Sequence, residues 1–327
     1  MPRELPDRSL QKILSGCTVL LLTASCAVRN GPPASSIAGT VASCRASEGL
    51  LFEVSDPQRA EVSPLVLLGS VHFGNADMYP LSPLVEDAFE AADGLAVELD
   101  PQLSPEDATA LDERRQLPEG MEVCATVDQE TCRQLSATLV RLGIDPAAVT
   151  HWKPWAVAIF VQQRQLEQLG LPAADGVEMY LLRRAAGHKH VQSLETLDRH
   201  FAALDDLPAT TQNALLADTV RDPSTIARQT EILLRAWCTG DVSTLEGALI
   251  LTDATLRNEI LVKRNSQIAT ALAALMKSPD RWIAVIGAAH LVGPDNIPDA
   301  LRGQGYRVRR LTTTAGATTS ADAMSRP

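Results

Sequence analysis

The sequence has little positive charge for its size. Its 327 residues include 29 Lys and Arg against 40 Asp and Glu, so the formal net charge is −11. Proteins that bind nucleic acid present a basic face to the phosphates, and this composition therefore argues against a nucleic-acid partner. Hydrophobic residues make up 45% of the chain, which is enough for one large domain or two small ones.

The cysteines lack the C-x-x-C spacing of a zinc knuckle. Two of the six, Cys17 and Cys26, lie near the N-terminus. If that segment is removed on export, disulfides become possible among the four that remain: Cys44, Cys124, Cys132 and Cys238. Cys124 and Cys132 are close in sequence and could pair, but spacing alone does not determine the pairing.

The apolar stretch near the N-terminus, Ile13 to Ala24, is too short to cross a bilayer as a mature helix. Basic residues precede it, which is typical of an export signal. The stretch Thr23–Cys26 resembles a lipoprotein cleavage site with Thr where Leu is usual. We therefore predict a signal peptide over 1–26 with lipidation at Cys26. Ordinary signal-peptidase cleavage close by is the alternative. Either way the protein is expected in the periplasm, or on a bacterial envelope membrane through a lipid anchor.

The composition also predicts the limits of the folded part. Residues 27–47 are rich in small residues and proline and are expected to form a tether. The folded domain is predicted over 48–311, with a helical cap inserted at about 104–250. The Thr-, Ala- and Ser-rich stretch 312–327 is predicted to be disordered.

The central motif of the folded part is a strand, a loop, a helix and a second strand. The apolar run Leu65–Leu68 predicts the first strand and is followed by Gly69-Ser-Val-His72. Ser82 and Pro83 begin a helix, and Leu95–Leu99 predicts the second strand. A glycine permits a tight turn as the chain leaves a strand. Because strands joined by such a crossover are parallel, both are expected to end at one edge of the sheet.

This edge is where open α/β folds bind ligands. His72 lies just past the first strand, and Glu98 lies near the end of the second. A carboxylate within an apolar run is costly unless it is paired or bound to a metal. The first unit is therefore predicted to place a histidine and a carboxylate side by side.

A second unit near the C-terminus repeats the pattern. The apolar strand Trp282–Ile286 is followed at once by Gly287-Ala-Ala-His290, then by a short helix and the strand Tyr306–Leu311. We predict an α/β (or α+β) fold, with a central mixed sheet that contains both strand–G-x-x-H–helix–strand units, flanked by helices and a helical cap.

Several segments together resemble the TraB/GumN family, which includes the Tiki-type metalloproteases. They are Leu67–His72, Met78–Leu81, Ala91–Asp93 with Val97–Asp100, Leu194–Thr196, Arg264–Asn265 and Gly287–Gly293. The family is marked by two G-x-x-H motifs with a Glu and an Arg between them, which match here at His72, Glu98, Arg264 and His290. The resemblance implies a metal-dependent hydrolase fold related to erythromycin-esterase-like proteins.

Each candidate residue has a functional and a structural interpretation. His72 and His290 would bind a metal through neutral imidazole, or each would bond to a loop carbonyl. Glu98 would be a ligand or general base, or a buried partner of Arg264. Arg264 would stabilise developing negative charge, or lie on a solvated helix face. Glu195 is a weaker candidate that could instead cap a helix.

The leading functional hypothesis is an exported hydrolase of peptide or ester bonds. A divalent metal such as Mn, Co or Zn, held by His72, His290 and Glu98, would activate water or polarise a carbonyl. Its partners would be a peptide or small-molecule substrate and the membrane that holds the anchor. The alternatives are a non-catalytic envelope protein that binds a metal or a small ligand such as haem at the same edge, and a structural lipoprotein with vestigial motifs.

Overall fold

A computed structural model of the protein describes residues 39–41, 44–46 and 49–312. The strands in these ranges are β1 (Leu50–Ser55), β2 (Leu65–Ser70), β3 (Gly94–Val97), β4 (His190–Ser193), β5 (Trp282–Gly287) and β6 (Arg307–Arg310). They form one mixed sheet in the order β4-β3-β5-β2-β1-β6. The predicted fold class is confirmed, and the four strands of the two predicted units lie in this one sheet.

Helices surround the sheet. In the described part of the chain they are α1 (Pro83–Ala91), α2 (Pro105–Arg114), α3 (Val123–Thr126), α4 (Gln129–Leu142), α5 (Pro154–Gln168), α6 (Val177–Ala185), α7 (Leu197–Asp205), α8 (Ala209–Arg221), α9 (Pro223–Thr239), α10 (Val242–Ala248), α11 (Ala254–Arg257), α12 (Lys263–Leu275) and α13 (Ile297–Gly303). None of them is long and apolar enough to cross a membrane.

Local sequence signals explain many helix ends. Ser104 accepts a hydrogen bond from the Asp107 N–H at the start of α2, and Asp128 accepts one from Thr131 at the start of α4. These caps satisfy backbone donors that have no partner inside the helix. Helix α4 ends at Gly143, whose φ of 68° is a left-handed conformation that favours glycine.

The strand order differs from the chain order at the centre of the sheet. Strand β5 lies between β2 and β3 and is parallel to both, so the two predicted units share one edge. Ser70 is in register with Gly287 across β2 and β5. Strand β1, which the sequence analysis did not identify, is antiparallel to both β2 and β6.

Two apolar clusters organise the helices. The first surrounds the sheet and includes buried residues of α1, α6, α9, α12 and α13. The second contains buried residues of α2, α4, α5, α7 and α8, and it is dominated by helices. The range 104–250, for which we predicted a helical cap, thus contributes to both clusters and also contains the edge strand β4.

Two disulfides join the four cysteines of the folded part: Cys44 with Cys238 and Cys124 with Cys132. Cys44 falls in the range 27–47 predicted as a tether, yet it is buried and bonded to α9. The packed part of the chain therefore begins before residue 48. The signal peptide predicted over 1–26 and residues 313–327 of the predicted tail lie outside the described residues.

Replacing both Cys44 and Cys238 by Ser should lower the free energy of unfolding by about 2–5 kcal/mol, because this cross-link restricts a long loop of the unfolded chain. The bonded cysteines are 194 residues apart, whereas Cys124 and Cys132 are 8 apart. The double variant Cys124→Ser, Cys132→Ser is the matched control, and its free energy of unfolding should fall by less. Urea unfolding of the oxidised proteins measures the free energy of unfolding of both variants. An equal or larger decrease in the control would contradict the prediction.

Candidate metal centre

The carboxyl ends of β2, β5 and β3 lie side by side and carry three residues of the predicted site. His72 follows β2, Glu98 follows β3 directly, and His290 ends the short 3-10 helix that follows β5. All three side chains are buried. The strand order therefore brings both G-x-x-H motifs and Glu98 to one edge, as the sequence predicted for His72 and Glu98.

Glu98 is the centre of the cluster. Its Oε1 accepts a hydrogen bond of 2.6 Å from the Gly287 N–H, and its Oε2 accepts one of 2.7 Å from Arg264 Nη2. Burial alone would raise the pKa of this carboxyl group. Positive charge nearby outweighs burial and holds the pKa well below its usual range. Because His290 is neutral at pH 7, the permanent charge of Arg264 is the one that keeps Glu98 ionised at neutral pH.

Arg264 is the counter-ion of two carboxylates. Besides its bond to Glu98, it binds Glu195 in a bidentate manner, with Nε 2.9 Å from Oε1 and Nη2 2.5 Å from Oε2. Its Nη1 donates to the carbonyl of Ile260 at 3.2 Å, within the π-helical turn Asn258–Val262 that joins α11 to α12. Arg264 is buried, so the alternative of a solvated helix face is wrong.

Like Glu98, Glu195 and His200 contact Arg264. Glu195 does not cap α7, because Thr196 does so, and the capping alternative is wrong. His200 on α7 places Nδ1 3.3 Å from Glu195 Oε2. Burial raises the pKa of Glu195, but the hydrogen bonds from His200 and Arg264 outweigh burial and lower the pKa to about 2.

His72 is oriented by a residue that the sequence analysis missed. Its Nδ1 lies 2.6 Å from Oε2 of Glu178, in the first turn of α6. Burial lowers the pKa of His72, but the carboxylate of Glu178 outweighs burial and the net shift is upward. Burial also raises the pKa of Glu178, so this buried pair shares one proton between Oε2 and Nδ1. With that proton on Nδ1, Nε2 is the nitrogen that remains to bind a ligand. The partner of Nδ1 is a carboxylate and not the loop carbonyl of the structural alternative.

Gly287 makes room for His72 beside Glu98. A Cβ atom added at Gly287 would lie 2.7 Å from His72 Nε2 and 3.1 Å from Glu98 Oε1, so these two atoms converge on the space of the missing side chain. The φ of Gly287 is −50°, which any residue can adopt. The glycine of this motif is therefore required for space, and the tight turn expected from the sequence is not the reason.

His290 is held in one tautomer by Asn265. Its Nδ1 lies 2.5 Å from Asn265 Oδ1, and Asn265 Nδ2 donates to the Asp295 carbonyl at 2.7 Å. That second bond identifies Oδ1 as the acceptor, so Nδ1 carries the proton and Nε2 carries the lone pair. Nε2 lies 3.8 Å from Glu98 Oε2. Burial lowers the pKa of His290 to about 4, which leaves the ring neutral at pH 7.

Glu98, Glu195 and His200 form a group that could hold a metal ion, since their ligand atoms lie within 4.8 Å of one another. Arg264 Nη2 is in contact with all three, at 2.7 Å, 2.5 Å and 3.3 Å. The guanidinium thus already provides positive charge at this position, and a metal ion there would have to displace it. This argument favours the other side of Glu98, towards His72 and His290. The ligand atoms of His72, Glu98 and His290 do not all lie within 4.8 Å of one another, so binding of one ion by all three would require these side chains to move closer together.

The five candidate residues His72, Glu98, Glu195, Arg264 and His290 lie in one buried cluster. Arg264 contacts Glu98 directly, as in the structural alternative that makes Glu98 its buried partner. Their catalytic and metal-binding roles stay predictions, and Cys26 lies outside the described residues. The sequence analysis missed Glu178 and His200, which no motif marks, and it cited Asn265 only as part of the family resemblance.

A narrow cleft lies beside His72, between the two G-x-x-H loops and the helices α9 and α10. It has room for about one water molecule. Its lining is mostly apolar and consists of Ser70, Val71, His72, Phe73, Leu233, Leu249, Ala288 and Ala289.

Replacing Arg264 by Ala should lower the free energy of unfolding by about 3–5 kcal/mol, because it leaves Glu98 and Glu195 buried without a counter-ion. The control is Arg281→Ala, which removes an ion pair with Asp93 on the surface. It should lower the free energy of unfolding much less. Thermal and urea unfolding compare the two variants. Equal stability of the two would show that Arg264 does not compensate the buried carboxylates.

Comparison with known proteins agrees with the motifs. The model of the TraB/PrgY/gumN family matches residues 50–310. The chain is 30% identical over 238 residues to the uncharacterized protein YbaP of Escherichia coli (strain K12), covering 72% of this chain and 87% of YbaP. An uncharacterized protein of Treponema pallidum (strain Nichols) is 22% identical over 273 residues, covering 78% and 80% of the two chains. No solved structure matches. The chain therefore belongs to the TraB/PrgY/gumN family.

Proposed function

We propose that this protein is an exported, metal-dependent hydrolase of peptide or ester bonds. The observation that carries the proposal is the arrangement around Glu98. Glu178 forms a hydrogen bond with His72 Nδ1, and Asn265 forms one with His290 Nδ1. The Nε2 atoms of both histidines therefore remain for a ligand beside the ionised carboxylate of Glu98. Histidine ligands of metals are commonly oriented by such partners.

The donor set suits a divalent metal ion. His72 and His290 would supply imidazole nitrogens and Glu98 a carboxylate oxygen, a combination that Mn, Co and Zn accept. When bound, such an ion polarises a carbonyl and lowers the pKa of water. Glu178 and Asn265 would keep the two rings in the tautomer that binding requires.

The remaining residues of the cluster would keep Glu98 ionised and oriented. Arg264 keeps Glu98 ionised and fixes the direction of its Oε2. Glu195 in turn holds the guanidinium in place, and His200 Nδ1 donates to Glu195. The permanent charge of Arg264 would also stabilise negative charge that develops on the substrate.

The two disulfides support export. Disulfides form and persist in oxidising compartments such as the periplasm and are rare in the cytosol. Together with the signal-like N-terminus, they favour a mature protein that is released into the periplasm or anchored to a membrane through lipid on Cys26.

A second candidate function is metal binding without catalysis. The burial of Glu98 and the narrowness of the cleft favour it, because a hydrolase also needs an approach for its substrate. The same narrowness disfavours haem, since pockets for ligands of that size measure about 300–1,000 Å³. A screen of peptide and ester substrates with the metal-loaded protein distinguishes the two candidates.

His72→Ala and His290→Ala should each reduce the metal retained per chain to less than about one tenth of the wild-type amount, because each removes one ligand. Elemental analysis of protein purified without chelator measures the content. The matched control is His188→Ala, which removes an exposed histidine and should leave the metal content unchanged.

Wild-type protein that retains no metal under these conditions would refute the proposal. Metal that is retained equally by all three variants would place the ion elsewhere. Retention by the wild type without hydrolysis of any substrate would favour the second candidate.

A further inference from the structure

The end of β2 carries two buried polar atoms, Ser70 Oγ and His72 Nε2, that have no hydrogen-bond partner among the residues the structure describes. Ser70 is only 1% exposed. A buried hydroxyl group without a hydrogen bond costs free energy, and such groups usually bind an ordered water or a ligand. His72 has a place in the proposed metal site, whereas Ser70 has none.

The register of the sheet directs Ser70 towards that site. Side chains alternate between the two faces of a strand. The position before it, Gly69, lies on the face of the sheet that carries the Leu50 side chain, because a Cβ there would lie 2.7 Å from that side chain. Ser70 therefore points to the opposite face. Its partner in register is Gly287, whose missing side chain leaves the space shared by His72 and Glu98.

The cleft beside His72 is suited to water. Ser70 and His72 both line it, and the other lining residues are apolar. A buried water needs a cavity of about its own size and two to four polar partners. The cleft has that size, and Ser70 and His72 are the lining residues with polar side chains.

We propose that Ser70 binds and orients the water molecule that is consumed in hydrolysis, an inference that rests on the proposed function. The water oxygen forms a bond to the carbonyl carbon, and the scissile C–N or C–O bond breaks. The proton that the water loses ends on the departing nitrogen or oxygen. The Ser70 hydroxyl group donates to or accepts from the water and remains unchanged.

The first test is a crystal structure of the wild-type protein at a resolution that shows ordered water. A water should lie within about 3.2 Å of Ser70 Oγ and should be absent in Ser70→Ala. A Ser70 hydroxyl group that donates to a protein carbonyl instead, or a cleft without ordered water, would overturn the proposal.

The second test compares Ser70→Ala and Ser70→Thr with Ser82→Ala. Ser82 is the matched control, because its hydroxyl group is also buried and without a partner in the described ranges but lies at the start of α1. Ser70→Ala should keep the metal and lower kcat at least about tenfold with little change in KM, because the water is no longer oriented. Ser70→Thr keeps a hydroxyl group and should restore most of kcat.

Equal kcat values for Ser70→Ala and Ser82→Ala would overturn the proposal, as would loss of the metal from Ser70→Ala. Failure of the wild type to hydrolyse any substrate would overturn the proposed function, while the crystal structure would still decide whether Ser70 binds a water.

Discussion

The carboxylate of Glu98 is buried at the edge of the sheet, where an isolated charge would be unstable. Its stability depends on the backbone N–H of Gly287 and the guanidinium of Arg264. These groups come from β5 and α12. The neutralisation of one carboxylate therefore links segments that are far apart in sequence, and most of the candidate site is built from the residues that provide it.

The same charges connect the two apolar clusters. Arg264 lies on α12, which packs in the cluster around the sheet, and it contacts His200 on α7. The neighbour of His200, Phe201, belongs to the helical cluster. Movement of the helical cluster relative to the sheet would therefore break the buried polar contacts of His200 with Glu195 and Arg264, a cost that favours one fixed arrangement of the two.

Local patterns were sufficient to predict the two strand–G-x-x-H units and to place His72, Glu98 and His290 at strand ends. They could not predict that β5 lies between β2 and β3, because strand pairing between distant segments is decided by packing over the whole sheet. For the same reason Glu178 and His200 were missed, since each reaches the site through tertiary packing. Arg264 was selected through the family resemblance, and its direct contact with Glu98 depends on the path of α12.

The π-helical turn Asn258–Val262 has a consequence for the helical phase of the whole segment. Arg257 before the turn and Asn265 after it both bind the loop at Pro294 and Asp295. In a regular α-helix, eight residues advance about 80° beyond two full turns, so the two side chains would point in different directions. The extra residue in the π turn returns them to nearly the same face. Deletion of one residue in this turn would leave them seven residues apart, and seven residues of a regular α-helix advance to within about 20° of two full turns. Arg257 and Asn265 would then keep nearly the same face without a π turn, whereas insertion of a further residue would rotate Arg257 away from the loop.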